Sequence, residues 1–114
     1  MPAPRDPLRV DILPGTLDLL ILKTLSVQPM HGYGIAQHIG RLSADALKVE
    51  EGSLYPALQR LKLKGWLTAE WRITPTGRRA RYYELSRGGR RQLARELSAF
   101  DQLVAAVRSV VRPA

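Results

Sequence analysis

The last quarter of the chain carries apolar residues at the spacing of a helix-on-helix seam. Ser86 is a good helix N-cap, and the apolar residues after it lie four, three, four, three and four positions apart. They are Leu93, Leu97, Phe100, Val104, Val107 and Val111. This spacing predicts one helix that begins after Ser86, reaches Val111 and is about 39 Å long.

Such a helix is too long to be covered by a core built from the rest of a 114-residue chain. A seam kept up over several turns is characteristic of helices that pack on one another. We therefore expect the C-terminal helices of two subunits to pair along this seam. The alternative is a helix that folds back on its own domain.

Three shorter helices are predicted ahead of the seam, at about Thr16–Leu25, Tyr33–Arg41 and Ser53–Lys64. The third is predicted to be capped by Ser53, with Pro56 in its first turn. The first is apolar nearly all round, which means that it must be covered on several sides. Its predicted core face consists of Leu17, Leu20, Ile21 and Leu25. The two leucines that lie off this face, which we expect a second subunit to cover, are Leu19 and Leu22.

Two strand-like runs follow, Trp66–Ile73 and Arg78–Leu85. Between them Thr74–Gly77 has proline second and glycine fourth, an order that suits a type I turn in a hairpin. Alternation along the second run predicts that Arg79 and Arg81 share one face.

The order of helix, helix, helix, hairpin and helix predicts the winged variant of the helix-turn-helix. The fold class is therefore mainly α with a small β-hairpin, plus a long C-terminal dimerisation helix. We expect a flexible N-terminal arm over residues 1–12, a winged-helix DNA-binding domain over 13–85 and the dimerisation helix over 86–112.

The net charge of +8 is concentrated in one stretch of the chain. Residues 1–59 carry a net charge of −1, residues 60–91 carry +8 and residues 92–114 carry +1. A segment this basic is typical of a polyanion binder, because its cations displace counterions from phosphates. A solvated basic face is the alternative, and charge alone does not distinguish the two.

The exposed faces of the third helix and the hairpin supply candidate DNA contacts. Gln59 can pair with adenine and Arg60 with guanine in a major groove, whereas the hairpin arginines suit the backbone or a minor groove. The predicted DNA-binding residues are Ser53, Tyr55, Gln59, Arg60, Lys62, Lys64, Arg78, Arg79 and Arg81.

The sequence argues against several other classes of function. It has no cysteine, and its two histidines, His31 and His38, are not accompanied by a carboxylate pair, a phosphate loop or metal-ligand spacing. We expect no enzyme, no cofactor and no metal. Apolar runs such as Leu19–Leu22 are too short for a membrane span, and we expect a cytoplasmic protein. A winged helix that binds protein without DNA affinity is the main alternative.

Seven segments, taken in order, resemble the PadR-type transcriptional regulators of the short kind with one C-terminal helix. The segments are Gly15–Leu22, Met30–Ile35, Glu51–Leu61, Gly65–Leu67, Gly77–Arg79, Tyr82–Leu85 and Ser86–Gly89. The likeness extends from about Leu13 to Leu97, and its specificity lies in the order and spacing of the segments.

This resemblance implies a homodimer in which the C-terminal helix packs on the first helix of the partner. It also implies operator binding on double-stranded DNA through the third helix and the wing, usually as a repressor. The chain departs from the family at Arg79–Arg81, where an alanine interrupts the usual basic run, and at the wing tip, which carries Ile73 and Pro75. Inducers differ between members, so a small-molecule effector of unknown identity is left open and no particular ligand is predicted.

Overall fold

A computed structural model of the chain describes residues 11–13 and 15–113. Most of the predicted arm, residues 1–12, lies outside the described residues. The described helices are α1 (Thr16–Val27), α2 (Gly32–Leu42), α3 (Glu51–Leu63) and α4 (Arg87–Val111). The strands are β1 (Met30–His31), β2 (Leu67–Ile73) and β3 (Arg79–Leu85), which form an antiparallel sheet in the order β1-β3-β2. The predicted winged helix-turn-helix with a long last helix is confirmed.

The sheet has one more strand than the sequence predicted. Met30 pairs with Tyr83 and His31 pairs with Tyr82, between the end of α1 and the start of α2. A strand of two residues is too short to carry an alternating pattern, which explains why it was missed. The side chain of His31 also caps α2, because its Nδ1 accepts a hydrogen bond of 3.0 Å from the N–H of Gly34.

The start of α3 lies earlier than predicted. The helix begins at Glu51, and Glu50 is its N-cap, with no hydrogen bond from the cap side chain. The N–H groups of Ser53 and Leu54 donate to the carbonyl of Glu50, at 3.1 and 2.9 Å. The predictions that Ser53 caps the helix and that Pro56 lies in its first turn are therefore wrong, and Pro56 is inside the helix.

The core surrounds α1, which contacts α2, α3, α4 and β3 of its own chain. These neighbours cover the helix on several sides, so that Leu19 is only 8% exposed and Leu22 is fully buried. The expectation that a second subunit must cover these two leucines is therefore wrong. The fully buried side chains that form the centre of the core are Ile21, Leu22, Leu25, Ile35, Leu54, Leu58, Leu61 and Leu67.

The last helix leaves the core after its second turn. Leu93 is buried against the core, so this first position of the seam faces its own domain and not a partner. Beyond it the large apolar side chains are exposed, from 37% at Leu97 to 81% at Val110, apart from Val104, which is half-buried. The alternative of a helix folded back on its own domain is thus excluded for this part of α4. Leu103 and Val110 lie on the same exposed face and were not in the predicted seam.

The hairpin turn is confirmed. The N–H of Gly77 donates to the carbonyl of Thr74 at 2.9 Å, and the N–H of Thr74 donates to the carbonyl of Arg78 at 2.7 Å. Gly77 has φ +86°, a left-handed conformation that glycine adopts without steric cost.

The root of the hairpin is fastened to the start of α4. The Ser86 hydroxyl accepts a hydrogen bond from the N–H of Gly89, as the predicted N-cap, and donates to the carbonyl of Gly65 at 2.7 Å. Gly89 packs so closely that a Cβ there would lie 2.1 Å from the carbonyl oxygen of Trp66 and 2.7 Å from Cδ1 of Leu85.

We expect Gly89→Ala to lower the free energy of unfolding by about 3 kcal/mol, because the methyl group would meet a backbone oxygen that cannot rotate away. Gly88→Ala is the matched control, since a Cβ there meets nothing nearer than 3.7 Å and alanine favours a helix. Urea denaturation followed by circular dichroism measures both. Equal stability of the two variants would contradict the close packing.

Candidate nucleic-acid interface

The hairpin formed by β2 and β3, which we call the wing, has two chemically different faces. Trp71 pairs with Arg81 and Ala69 pairs with Tyr83, so these side chains share one face. We call it the inner face, because it runs into the core through the buried Tyr83 and Leu85. The outer face carries Glu70, Arg72, Tyr82 and Glu84.

On the outer face the positive charge is compensated within the wing. Arg72 forms an ion pair with Glu70 and lies 3.9 Å from a carboxylate oxygen of Glu84. Its guanidinium also lies over the ring of Tyr82, 5.4 Å from the centroid. Two carboxylates around one cation leave this face with little attraction for a polyanion.

On the inner face the arginines have an aromatic partner in place of an acidic one. The guanidinium carbons of Arg79 and Arg81 lie 5.1 and 5.9 Å from the ring centroid of Trp71. Neither arginine forms an ion pair with any residue that the structure describes. Trp71 is 57% exposed, and it was not among the DNA-binding residues predicted from the sequence. The alternation of β2 together with the register of the hairpin would have identified it.

A cleft of about 820 Å³ lies between the inner face of the wing and the starts of α2 and α3. We call it the wing cleft. Among the described residues that line it, every charged side chain is an arginine and none is a carboxylate. The arginines are Arg78, Arg79 and Arg81, and the large exposed aromatic residues beside them are Tyr33, Tyr55 and Trp71. A concave, cationic and partly aromatic surface of this kind is complementary to a nucleic-acid backbone.

Tyr55 connects α3 to the wing cleft and also packs on α2. Its ring lies against Gly32, where a Cβ would come within 2.9 Å of the phenol oxygen. Burial raises the pKa of Tyr83, the nearby guanidinium of Arg81 lowers it, and the phenol of Tyr55 raises it further. Tyr55 is therefore both a packing residue at the start of α2 and a half-exposed wall of the cleft.

Arg60 points away from the wing cleft. Its guanidinium donates to a carboxylate oxygen of Asp18 on α1 at 2.5 Å, and the Asp18 side chain is only 15% exposed. Arg60 and Ser53 line a second groove, of about 540 Å³, between α1 and α3. Because Asp11, Asp18 and Glu50 also line this groove, it is far less cationic than the wing cleft.

The remaining predicted residues lie on α3 or at its end. Gln59 is exposed, one turn after Tyr55 on the same helix. Lys62 is half-buried, and the ammonium of Lys64 lies 4.9 Å from the ring centroid of Trp66, at the root of the wing. The structure thus brings Tyr55 together with the three wing arginines. The predicted residues that do not line the wing cleft are Ser53, Gln59, Arg60, Lys62 and Lys64.

The described residues offer little for other chemistry. Within residues 11–13 and 15–113, no group of three metal-binding side chains lies close enough to hold a metal ion. In the same part of the chain, none of the helices has the length and apolar character needed to cross a membrane.

The fold and this surface define a winged-helix protein with a cationic cleft beside its third helix. Residues 21–95 match the profile of the transcriptional regulator PadR-like family, and the chain belongs to that family. It is thus a PadR-family transcriptional regulator, as the sequence resemblance predicted.

Individual relatives agree with this assignment. A transcriptional regulator from Mycobacterium tuberculosis is 33% identical over 75% of this chain and 76% of its own length. A PadR-like transcription factor from Bacteroides fragilis is 31% identical, with a TM-score of 0.68 over 84% of this chain and 90% of its own. A protein from Streptococcus mutans has a TM-score of 0.80 at 25% identity, over 91% of this chain and 93% of its own.

We expect Asp18 and Arg60 to stabilise the fold jointly. In a double-mutant cycle of Asp18→Ala and Arg60→Ala, the coupling free energy should be about 1 kcal/mol, because the carboxylate is largely buried but the guanidinium is half-exposed to screening solvent. The control cycle uses Lys48 and Glu50, which are 3.8 Å apart and mostly exposed, and its coupling should be close to zero. Strictly additive effects of Asp18→Ala and Arg60→Ala would show that the ion pair contributes nothing.

Proposed function

We propose that this regulator is a homodimeric, sequence-specific DNA-binding repressor that recognises a palindromic operator. The observation that carries the proposal is the wing cleft, in which three arginines lie next to Tyr55 of α3, with no carboxylate among the described residues that line it. A helix that enters a major groove and a basic ribbon beside it are the two contacts that winged helices make with DNA.

Within this proposal the two elements have different tasks. The wing arginines bind the sugar–phosphate backbone and set the orientation of the protein. Gln59, exposed on α3 and able to form two hydrogen bonds with adenine, reads a base edge together with Tyr55. Arg60 supports the position of α3 through Asp18, and its contribution to base reading is smaller than the sequence suggested.

The exposed apolar face of α4 supports the homodimer. From Leu97 to Val111 the helix presents an apolar stripe that its own chain does not cover, and heptad-spaced stripes of this kind pair with a second helix. In the proposed organisation residues 13–85 are the DNA-binding unit and residues 86–112 join the two subunits. A twofold dimer places two α3 helices on half-sites about 34 Å apart, which is why a palindrome is expected.

A regulator that occupies an operator in this way represses by excluding the transcription machinery, and it acts where the DNA is, in the cytoplasm. The proposal includes no cofactor and no particular effector. The family and its relatives are transcriptional regulators and not enzymes, which supports the proposal that this protein acts by binding DNA and not by catalysis.

The first experiment measures how binding depends on salt. A duplex is selected from a random pool with the wild-type protein, and its affinity is compared with that of a scrambled duplex by fluorescence anisotropy between 50 and 200 mM salt, roughly the range over which phosphate contacts change affinity most. Tight binding of the selected duplex alone supports the proposal. Equal, weak binding of both duplexes that is lost with rising salt contradicts it and favours a protein-binding winged helix.

We expect the variant Arg79→Ala with Arg81→Ala to weaken binding to both duplexes by about tenfold and to make the negative slope of log K against log salt shallower by at least about 0.9, because one or more phosphate contacts are lost. Arg72→Ala is the matched control on the outer face, where Glu70 and Glu84 already compensate the charge. If all variants shared one salt slope, the wing would have no part in binding.

We expect Val107→Asp to shift the protein from dimer to monomer, since a carboxylate would be buried in an apolar seam. Gln102→Asp adds the same charge on the polar side of the same helix and should leave the dimer intact. Sedimentation velocity over a concentration series measures both. A dimer that survives Val107→Asp must be joined by another surface.

A further inference from the structure

Two guanidinium groups share one indole ring on the inner face of the wing. Arg81 lies directly across from Trp71 in the antiparallel register, and Arg79 lies two residues further towards the tip. Their guanidinium carbons are 5.9 and 5.1 Å from the ring centroid, both within the range of a cation–π interaction. Tryptophan is the aromatic residue that attracts a cation most strongly.

This arrangement brings two like charges close together, and neither has an ion-pair partner among the described residues. The described residues that line the wing cleft beside them include Arg78, His31 and three tyrosines, Tyr33, Tyr55 and Tyr83, and none of the described lining residues is a carboxylate. The outer face of the same hairpin shows the opposite pattern, because Arg72 is held between Glu70 and Glu84. Two cations that are held together but not compensated form a site that is complete only with an anion.

The ring also restricts both arginine side chains. A free arginine on a hairpin surface has many rotamers, and ordering it on binding opposes affinity. Stacking on Trp71 removes part of this freedom before DNA arrives. Trp71 is itself more than half exposed, and Arg79 and Arg81 both line the wing cleft.

We propose that Trp71 is a positioning residue that holds Arg79 and Arg81 together as a clamp for the phosphate backbone of DNA in the wing cleft. The indole acts through the two arginines and does not read bases. This inference rests on the proposed DNA-binding function and adds to it the residue that organises the phosphate contact.

The test compares three variants: Trp71→Leu, Trp71→Phe and the double variant Arg79→Ala with Arg81→Ala, which we call the Arg→Ala background. A fourth variant combines Trp71→Leu with this background. Trp71→Leu should weaken binding to the selected and the scrambled duplex by roughly five- to tenfold and should make the negative slope of log K against log salt shallower. Trp71→Phe should retain part of the affinity and part of the salt dependence. In the Arg→Ala background Trp71→Leu should have no further effect. The control is Ile73→Ala, which removes an exposed apolar side chain from the same face without removing a ring.

A spectroscopic measurement separates positioning from loss of structure. The chain has two tryptophans, so Trp66→Phe leaves Trp71 as the only one. Its fluorescence should change when DNA engages the stacked guanidinium groups, and this change should vanish in the Arg→Ala background. Circular dichroism of Trp71→Leu should match the wild type, because the side chain lies outside the core.

Three other outcomes would each contradict the proposed role of Trp71, and they differ in what else they contradict. If Trp71→Leu binds like the wild type while the Arg→Ala variant is weakened, the ring does not position the arginines and only this inference fails. If Trp71→Leu weakens binding equally in both backgrounds, Trp71 contacts DNA itself and the positioning role is wrong. If the Arg→Ala variant binds like the wild type, the proposed wing contact fails together with this inference.

Discussion

Burial of α1 is the constraint on which the rest of the structure depends. In a domain of this size one helix has to contact nearly every other element for a core to form, and α1 contacts α2, α3, α4 and β3. This is why it is apolar nearly all round. The same packing brings Asp18, one of its few polar residues, against Arg60 and so ties the outside of α3 to the centre of the domain. The position of α3, which has an exposed outer side, is thereby set by the buried helix α1.

Acidic neighbours, and not the number of cations, decide which parts of the surface attract a polyanion. The basic stretch of residues 60–91 contains ten lysines and arginines, but they are not equivalent. Arg60 and Arg72 lie beside carboxylates, whereas Arg79 and Arg81 lie beside an indole. In the proposed function, this one-sided compensation directs the nucleic acid to the wing cleft and away from the outer face of the wing.

The sequence predicted what local patterns determine. The cap at Ser86, the turn at Thr74–Gly77 and the long last helix depend on residues close in sequence, and all three are confirmed. The missed features depend on distant partners. Asp18 and Arg60 are 42 positions apart, and the two-residue β1 exists only because β3 offers it an edge. Leu19 and Leu22 are likewise buried by elements that are distant in sequence. The sequence pattern shows that the helix must be covered, but it does not show whether its own chain or a second subunit covers it.

At Gly65, Ser86 and Gly89 the root of the wing is joined to the start of α4, so that the two elements move together. Ser86 donates hydrogen bonds to the carbonyl groups of Trp66 and Gly65, and Gly89 packs closely against Trp66, which fixes the wing against α4 at this point. From this joint β2 extends over seven residues, or about 23 Å. A tilt of α4 by about 10° would therefore move the wing tip by about 4 Å, close to the spacing of successive base pairs. In the proposed dimer, the angle at which the two α4 helices cross would therefore set the distance between the two wings, and a small change at the dimer seam would shift the positions of the wings along the DNA.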